Sequence, residues 1–309
     1  MQETIKLTVK TTVAECAVDV KQVRKDVDDG GGSTPTTKSS ITSGVNAMTF
    51  PQFLGCLEML FEQILGCLSL SSNVYTFLST NGIELPDLEA GGGEGGGRGG
   101  KAASTALTTA SELAHRSISE LLRIRKDAHS LLNLGEVKQL WDACLAFTLE
   151  LEAHAQGVRA WGLRSTLLGQ AKGFVERNHE NHMSNLVATL DSEKWTQCNV
   201  TGARQGYLDN LCSGKAVLSK TVAKGTGGGT EGDGTVNEAN IEGIKFKVVW
   251  SCLLLVEMLM SNLAAAAHFQ SLASDVVGKV CELLRLFNSR TTQLVLGAGA
   301  IHSAAKLKR

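Results

Sequence analysis

The stretch VVGKVCELLRLFNSRTTQLVLGAGA, Val276 to Ala300, decides the fold. Its last part, LVLGAGA, has the look of an apolar strand entering a glycine turn. A dinucleotide-binding unit opens that way. Such a unit also needs a long helix after the turn, and an acidic residue about 20 positions on to hold a ribose. Gly297 and Gly299 supply two glycines, but His302 stands where the third belongs, and the sequence to Arg309 carries neither the helix nor the acid. The upstream part has helical spacing instead, with Val276, Val280, Leu283, Leu284 and Phe287 along one side. Asn288 is a candidate end for that helix. The stretch therefore reads as a helix and a glycine-bearing connection to another helix, where glycine permits positive φ or close packing.

The same alphabet runs through the rest of the chain. Its 309 residues allow roughly two domains of ordinary size. Hydrophobic residues make up 43%, enough for a packed core, while aromatics are only 5% and prolines number three. Few prolines and few β-branched runs favour helices. Thirty basic residues balance 31 acidic ones, and no basic stripe points to nucleic acid.

The eight cysteines, Cys16, Cys56, Cys67, Cys144, Cys198, Cys212, Cys252 and Cys281, form no C-x-x-C pair. They read as small buried hydrophobes in a reducing compartment, with neither a disulfide framework nor a zinc site. The start, MQETIKLTVKTTV, lacks the basic-then-apolar layout of a signal peptide. Asn199-Val200-Thr201 matches a glycosylation acceptor, which has no use without a secretory signal.

Three glycine-rich tracts divide the chain. Residues 28–44, 91–102 and 224–243 have too little apolar surface to offset their ordering entropy, and read as flexible linkers. They separate a helical segment at 1–27, a second at 45–90, a helical bundle region at 103–223 and a further helical domain from 244 to 309. In the first, Ile5, Val9, Val13, Ala17 and Val20 recur every fourth position or so, and helix is preferred to the strand-like alternation at Ile5, Leu7 and Val9. In the second, Thr49 is placed to cap a helix with Pro51 in its first turn, and Asn81-Gly82 to end it. Leu107 to Leu131 traces a long amphipathic helix that the Asn133–Gly135 stretch breaks. Val137 to Leu151 follows, then a helix from Ser165 to Leu190 with Trp195 just past its end. The expectation is an all-α fold of about seven amphipathic helices, packed in bundles or an elongated rod.

Two alternatives carry a function of another kind. Val248 to Ala267, VVWSCLLLVEMLMSNLAAAA, has the length of a bilayer span. Glu257 and Asn262 lie within it, and a carboxylate at mid-span costs about 2.5–3.5 kcal/mol, so a buried helix is the preferred reading over a single-span membrane protein. The other is a helical metal-dependent enzyme built on His179 and His182 in RNHENHMSN. Two histidines three apart share a helix face, but the zinc-protease pattern needs them four apart, with a glutamate as base and a third ligand. The preferred reading is a solvated polar face opposite Val175 and Leu186. No G-x-S-x-G nucleophile motif occurs, Glu150 and Glu152 fall on different helix faces, and Glu58 and Glu62 read as the polar edge of an apolar helix. Neither catalytic residues, nor a metal site, nor a cofactor is expected.

Two runs are more specific than any of these patterns: Leu163 to Trp195, and Leu283 to Ala300. Both resemble the vacuolar protein sorting-associated protein 54 family. The first is similar in Gln170-Ala171-Lys172, Phe174-Val175, His179-Glu180, Leu190-Asp191 and Trp195. The second is similar in Phe287-Asn288, Arg290-Thr291 and the run from Gln293 through Gly297 and Gly299 to Ala300. Thr292 stands where the family usually has cysteine, and IHSAAKLKR leaves the pattern. The resemblance implies an internal stretch of a longer non-catalytic subunit of the Golgi-associated retrograde protein complex, without its N-terminal coiled coil and its last helices. That complex tethers endosome-derived vesicles at the trans-Golgi network. The implied partners are the other subunits of the complex and SNARE proteins, with peripheral membrane association on the cytosolic face of the trans-Golgi network and endosomes. The residues it marks are structural or interaction residues: Gln170, Phe174, His179, Trp195, Phe287, Asn288, Arg290, Gln293, Gly297 and Gly299.

Overall fold

Local capping sets where the helices begin. The Thr49 backbone N–H donates to Gln52 Oε1 at 2.9 Å, and the Thr49 carbonyl accepts from the Phe53 N–H at 3.0 Å. Pro51 then falls in the first turn, where no intrahelical donor is lost. Asn133 and Glu136 cap each other's backbone at 2.9 and 3.0 Å, a reciprocal arrangement that starts a helix. The Asn133–Gly135 stretch is thus the start of the next helix as well as the end of the preceding run.

The computed structural model describes residues 1–25, 37–81, 98–154, 159–215 and 236–297, and the chain divides into two units, Met1–Phe174 and Val175–Arg309. The first unit holds α1 (Gln2–Lys25), α2 (Thr37–Ala47), α3 (Phe50–Thr80), α4 (Arg98–Ile124), α5 (Lys126–Ser130), α6 (Leu134–His154) and the first part of α7 (Trp161–Asp191). Its core joins Phe53, Leu57, Leu60 and Ile64 of α3 to Ala114, Ile118 and Leu122 of α4 and to Leu140, Phe147 and Leu151 of α6. Each large buried side chain contributes roughly 1.5–3 kcal/mol. Phe61 and Phe147 stack with ring centroids 4.2 Å apart. At Gly44 the helices α1 and α2 touch: a Cβ there would lie 2.5 Å from that of Ala17.

The long helix read over Leu107–Leu131 is broken at Arg125, whose φ of −98° and ψ of 11° leave the helical region. The break turns the guanidinium inward. Arg125 is 3% exposed, its Nη1 donates to the carbonyls of Val45 and Met48, and it lies over the Phe53 ring at 4.7 Å. The cation satisfies carbonyls at the negative end of α2, where a positive charge is favourable.

The second unit holds the rest of α7, α8 (Gly202–Cys212), strands β1 (Ala239–Ile241) and β2 (Ile244–Phe246), α9 (Trp250–His268) and α10 (Ala273–Gly297). The strands pair antiparallel across Glu242-Gly243, with φ of 51° and 87°, the left-handed pair that a two-residue hairpin turn requires. Helix α9 runs antiparallel to α7, with Ser251 beside Glu193 and Asn262 beside His182. Helix α10 runs parallel to α7, since Lys279, Glu282 and Arg290 meet Glu176, His179 and Asp191 in that order. Leu186, Leu190, Leu255, Met258, Leu259 and Leu283 close the core between them. A smaller cluster of Val200, Leu208, Ala239 and Leu253 joins α9 to α8 and the hairpin.

The all-α expectation holds, with ten α-helices and one two-stranded hairpin among the described residues. Several boundaries differ. Part of the tract at 28–44 lies in α2, α4 already starts at Arg98 within 91–102, and β1 lies within 224–243. Tertiary anchors outweigh composition at two of these: Arg125 fixes the end of α2, and Val200 pairs with Val236 ahead of the hairpin. The remainder of the three tracts lies outside the described residues. Asn288 does not end its helix, because α10 continues to Gly297 and keeps its grip on α7 through Arg290. Leu294–Gly297 is therefore helical rather than a connection, and Ala298–Ala300 lies outside the described residues.

Phe50–Phe77 and Trp250–His268 are each long and apolar enough to cross a membrane by length and composition. In the structure the first supplies the core of its unit. The second, the candidate single span at 248–267, is covered by α7 and α10 on one side and by α8 and the hairpin on the other. Its Asn262 is 1% exposed and Glu257 pairs with Arg204 at 3.7 Å.

Candidate functional site

The residues singled out in sequence fall into two groups. Gln170 and Phe174 lie in the core of the first unit. The Gln170 Oε1 is 2.9 Å from His129 Nδ1, and its Nε2 donates to the Leu122 carbonyl at 2.9 Å. With the amide oriented this way, His129 carries its proton on Nδ1. Burial pushes the imidazole of His129 down to about 4, against the pull of the Gln170 bond and with help from the Arg125 charge. A neutral ring so placed fixes α5 against α7 without adding a second charge beside Arg125.

Nearby, Glu152 accepts from Arg164 through Nε at 2.8 Å and Nη2 at 2.7 Å, and from the Ala160 N–H at 2.8 Å. The Arg164 hydrogen bond holds the carboxyl at about 2, against burial and together with the Ala160 N–H. This forked pair ties the end of α6 to the start of α7.

The second group forms a seam between α7 and α10. His179 is buried, with Nε2 2.8 Å from Glu282 Oε2. The solvated face expected around His179 is thus an inward face: the α7 turn that carries it lies under α10. Lys279 donates to Glu176 at 2.6 Å. Arg290 donates to Asp191 Oδ1 from Nε at 2.9 Å and Nη2 at 2.8 Å, and Gln293 Oε1 accepts from its Nη1 at 3.4 Å. Phe287 packs into the core beneath, and Asn288 is exposed. Gly297 is the last residue of α10, and Gly299 lies outside the described residues.

Trp195 adopts a φ of 55°, unusual for a bulky side chain, and is 43% exposed. Glu193 organises the bend around it. Its carboxylate accepts from the backbone N–H of Ser251 at 2.8 Å and of Lys194 at 3.0 Å. Burial acts to raise its pKa, but these backbone donors outweigh it and hold the carboxyl below its usual range. A carboxylate on the first N–H groups of α9 also complements the positive end of that helix. A hollow of about 280 Å³ opens here, lined by Thr189, Ser192, Glu193, Lys194, Thr196, Cys198 and Trp250. Its one carboxylate is already committed to backbone donors.

For His182, the second histidine of the metal reading, Nδ1 lies 3.2 Å from Asn262 Nδ2. Burial first, and then the neighbouring His179, push its imidazole down to about 4. Each ring of the candidate pair thus has a side-chain partner on another helix. Among the described residues no group of three or more His, Cys, Asp or Glu side chains is placed to hold a metal ion.

Sequence reading missed Glu176, Lys279 and Glu282. No local pattern marks them, because their partners lie 103 positions away along the chain. The seam brings the Val175–Asp191 part of the first specific run onto a helix facing the Leu283–Gly297 part of the second. What it defines is a helical scaffold in which His179, Asp191, Lys279, Glu282 and Arg290 hold two helices together.

Comparison with known proteins shows what the chain is similar to. Residues 243–309 match the family described as Vps54-like protein. The chain is 32% identical over 195 residues to human vacuolar protein sorting-associated protein 54, covering 62% of this chain and 19% of that relative. It is 31% identical over 152 residues to the Drosophila melanogaster protein of the same name, covering 48% and 15%. The Arabidopsis thaliana relative, vacuolar protein sorting-associated protein 54, chloroplastic, is 26% identical over 257 residues, covering 62% and 25%. The chain is thus similar to the Vps54 family in its last 67 residues and to Vps54 proteins along 62% of its length. It spans about a fifth of the length of the curated relatives it matches. No solved structure shows a significant match.

Proposed function

We propose that the chain is a non-catalytic part of a multisubunit vesicle-tethering complex. It serves vacuolar protein sorting, and more narrowly retrograde transport from endosomes to the trans-Golgi network. The observation that carries this reading is the α7–α10 seam. Among the residues shared with the sorting family, His179, Asp191 and Arg290 join two helices across the second unit, as a spacer or docking platform requires. The outer side of α10 supports it. Val277, Leu284, Val295 and Leu296 are 52%, 43%, 41% and 52% exposed, and apolar side chains grouped on an exposed helix side suit a partner contact.

On this reading the partners are the other subunits of the Golgi-associated retrograde protein complex and SNARE proteins. The protein acts at the cytosolic face of the trans-Golgi network and endosomes as a peripheral component, with no nucleic acid involved. The test is affinity purification of the tagged protein from its own cells, followed by mass spectrometry. Recovery of the sister tether subunits in near-equal amounts is the expected result. Isolation of the protein alone from gently lysed cells overturns the proposal.

A further inference from the structure

The bend after α7 holds a feature that helix packing does not explain. Trp195 keeps its φ of 55° there with its side chain 43% exposed. A bulky residue in the left-handed region costs roughly 1–3 kcal/mol, and a half-exposed indole recovers little of that by burial. Its chain neighbours Lys194 and Thr196 both line the hollow of about 280 Å³, with Thr189 of α7 and Trp250 at the start of α9. The walls are pinned. The Cys198 N–H donates to the Val248 carbonyl at 3.0 Å, and Glu193 holds the Ser251 N–H at 2.8 Å. The Arg204 guanidinium lies 4.2 Å over the Trp250 ring, which is still 42% exposed.

We infer that this hollow receives an Asp or Glu side chain of an extended partner peptide. Charge complementarity selects that occupant. Glu193 and Lys194 are the charged residues of the lining. Glu193 gives both carboxylate oxygens to backbone N–H groups, those of Lys194 and Ser251, and the positive end of α9 offsets its charge. Nearby, Arg204 is matched by Glu257 and Asp191 by Arg290. Among the described residues no carboxylate pairs with Lys194, so the charge left over at the hollow is positive. The peptide carboxylate meets Lys194 and the hydroxyls of Thr189 and Thr196, while its neighbours along the peptide lie against the exposed indoles of Trp195 and Trp250. Tryptophans at the edge of a pocket are frequent binding hot spots, and the charge pair fixes register and specificity. The volume falls just short of the roughly 300–1,000 Å³ of a small-molecule site, and suits one or two peptide side chains better than a cofactor. A phosphate dianion fits less well, since it would face Glu193 with a single lysine to hold it. The inference does not rest on the tethering reading, and its test needs no sister subunit.

The test pans a phage library of random linear peptides against the purified 309-residue chain. Enriched peptides are synthesised with a fluorophore and titrated by fluorescence polarisation against wild type, Lys194→Glu, Lys194→Gln and Trp195→Ala. Both positions are exposed, so the variants should fold, which circular dichroism checks. The expected result is a consensus with Asp or Glu at one position. Affinity should fall at least about tenfold in Lys194→Glu and in Trp195→Ala, and less in Lys194→Gln than in Lys194→Glu. Inorganic phosphate at constant ionic strength should displace nothing. The inference is overturned if no peptide is enriched, or if the enriched peptides share no acidic residue. It is equally overturned if they bind Lys194→Glu or Trp195→Ala as tightly as wild type, or if inorganic phosphate displaces them.

Discussion

Arg290 places two donors, Nε and Nη2, on a single oxygen of Asp191 99 residues earlier in the chain, at 2.9 and 2.8 Å. The pair closes one end of the α7–α10 seam, while Glu176–Lys279 and His179–Glu282 lie towards the other. Both partners are more than a third exposed, so solvent screening limits the coupling. A double-mutant cycle of Arg290→Ala and Asp191→Ala in urea unfolding should return a coupling of about 0.2–1 kcal/mol. Arg290→Lys should lose most of it, since an ammonium cannot present the same planar pair of donors. A coupling indistinguishable from zero would show the pair to be decorative.

Stability should fall in mild acid, and two histidines set the window. His129 in the first unit and His182 in the second have folded pKa values of about 4, against an ordinary 6.5. Between those values the unfolded chain binds protons that the folded chain refuses. The contribution is therefore complete above pH 6.5 and drains away as pH drops towards 4, by at most about 3 kcal/mol per histidine. Thermal melts from pH 7.5 to 4 should show this decline, and His182→Asn should flatten the part belonging to the second unit. An unchanged pH slope in that variant would remove His182 from the account.

Glu152 acts in a lower window. Its folded carboxyl is held at about 2 against an ordinary 4.5. A depressed acid stabilises above its unfolded pKa and loses that contribution as pH falls through 4.5 towards 2. Glu152→Gln should cost roughly 2–3 kcal/mol at pH 7 and almost nothing near pH 2. Chemical denaturation at the two pH values separates this from a general packing loss, which would be felt at both.

Arg125 is a buried cation whose partners are carbonyls. Arg125→Met keeps the volume but leaves the Val45 and Met48 carbonyls without their donor. The expected cost is about 2–4 kcal/mol, with α2 the first element to gain amide hydrogen exchange. Faster exchange spread evenly over the unit would argue for a global effect instead.

Leu284→Asp tests the outer face of α10. The side chain is 43% exposed, so the change should shift the melting temperature by no more than about 2 °C. Recovery of partner subunits in the purification described above should nevertheless drop at least tenfold. Full recovery would move the contact surface elsewhere.

Helical periodicity carried most of the fold because it is written locally. Phe53, Leu57, Leu60 and Ile64 announce the buried face of α3 three and four positions at a time, and Thr49 announces its start. Arg125 announces nothing. Its partners lie 77 and 80 residues away, and a charged residue in an amphipathic pattern reads as surface. His179 was misread for the same reason, since the face opposite Val175 is polar in sequence and is buried by α10. The hairpin was hidden by its neighbours: short strands beside a glycine-rich tract leave no periodic signal, and Glu242 is an uncommon residue for a left-handed turn position. The residues of the α7–α10 seam were legible only as a resemblance. Their spacing along the chain carries no chemistry until the two helices lie side by side.

The parallel course of α7 and α10 also has a consequence during synthesis. The sequence between them, about 100 residues for the His179–Glu282 and Asp191–Arg290 contacts, must leave the ribosome before either contact can form. At roughly 5–20 residues per second, α7 emerges about 5–20 s ahead of its partner. Through that interval Leu186 and Leu190 lack the cover of α10, and until α9 has emerged they lack its cover too. A chaperone that binds short leucine-bearing helices has its opportunity there, and should be found on ribosome-bound chains that end between α7 and α9 and not on those that extend past α10.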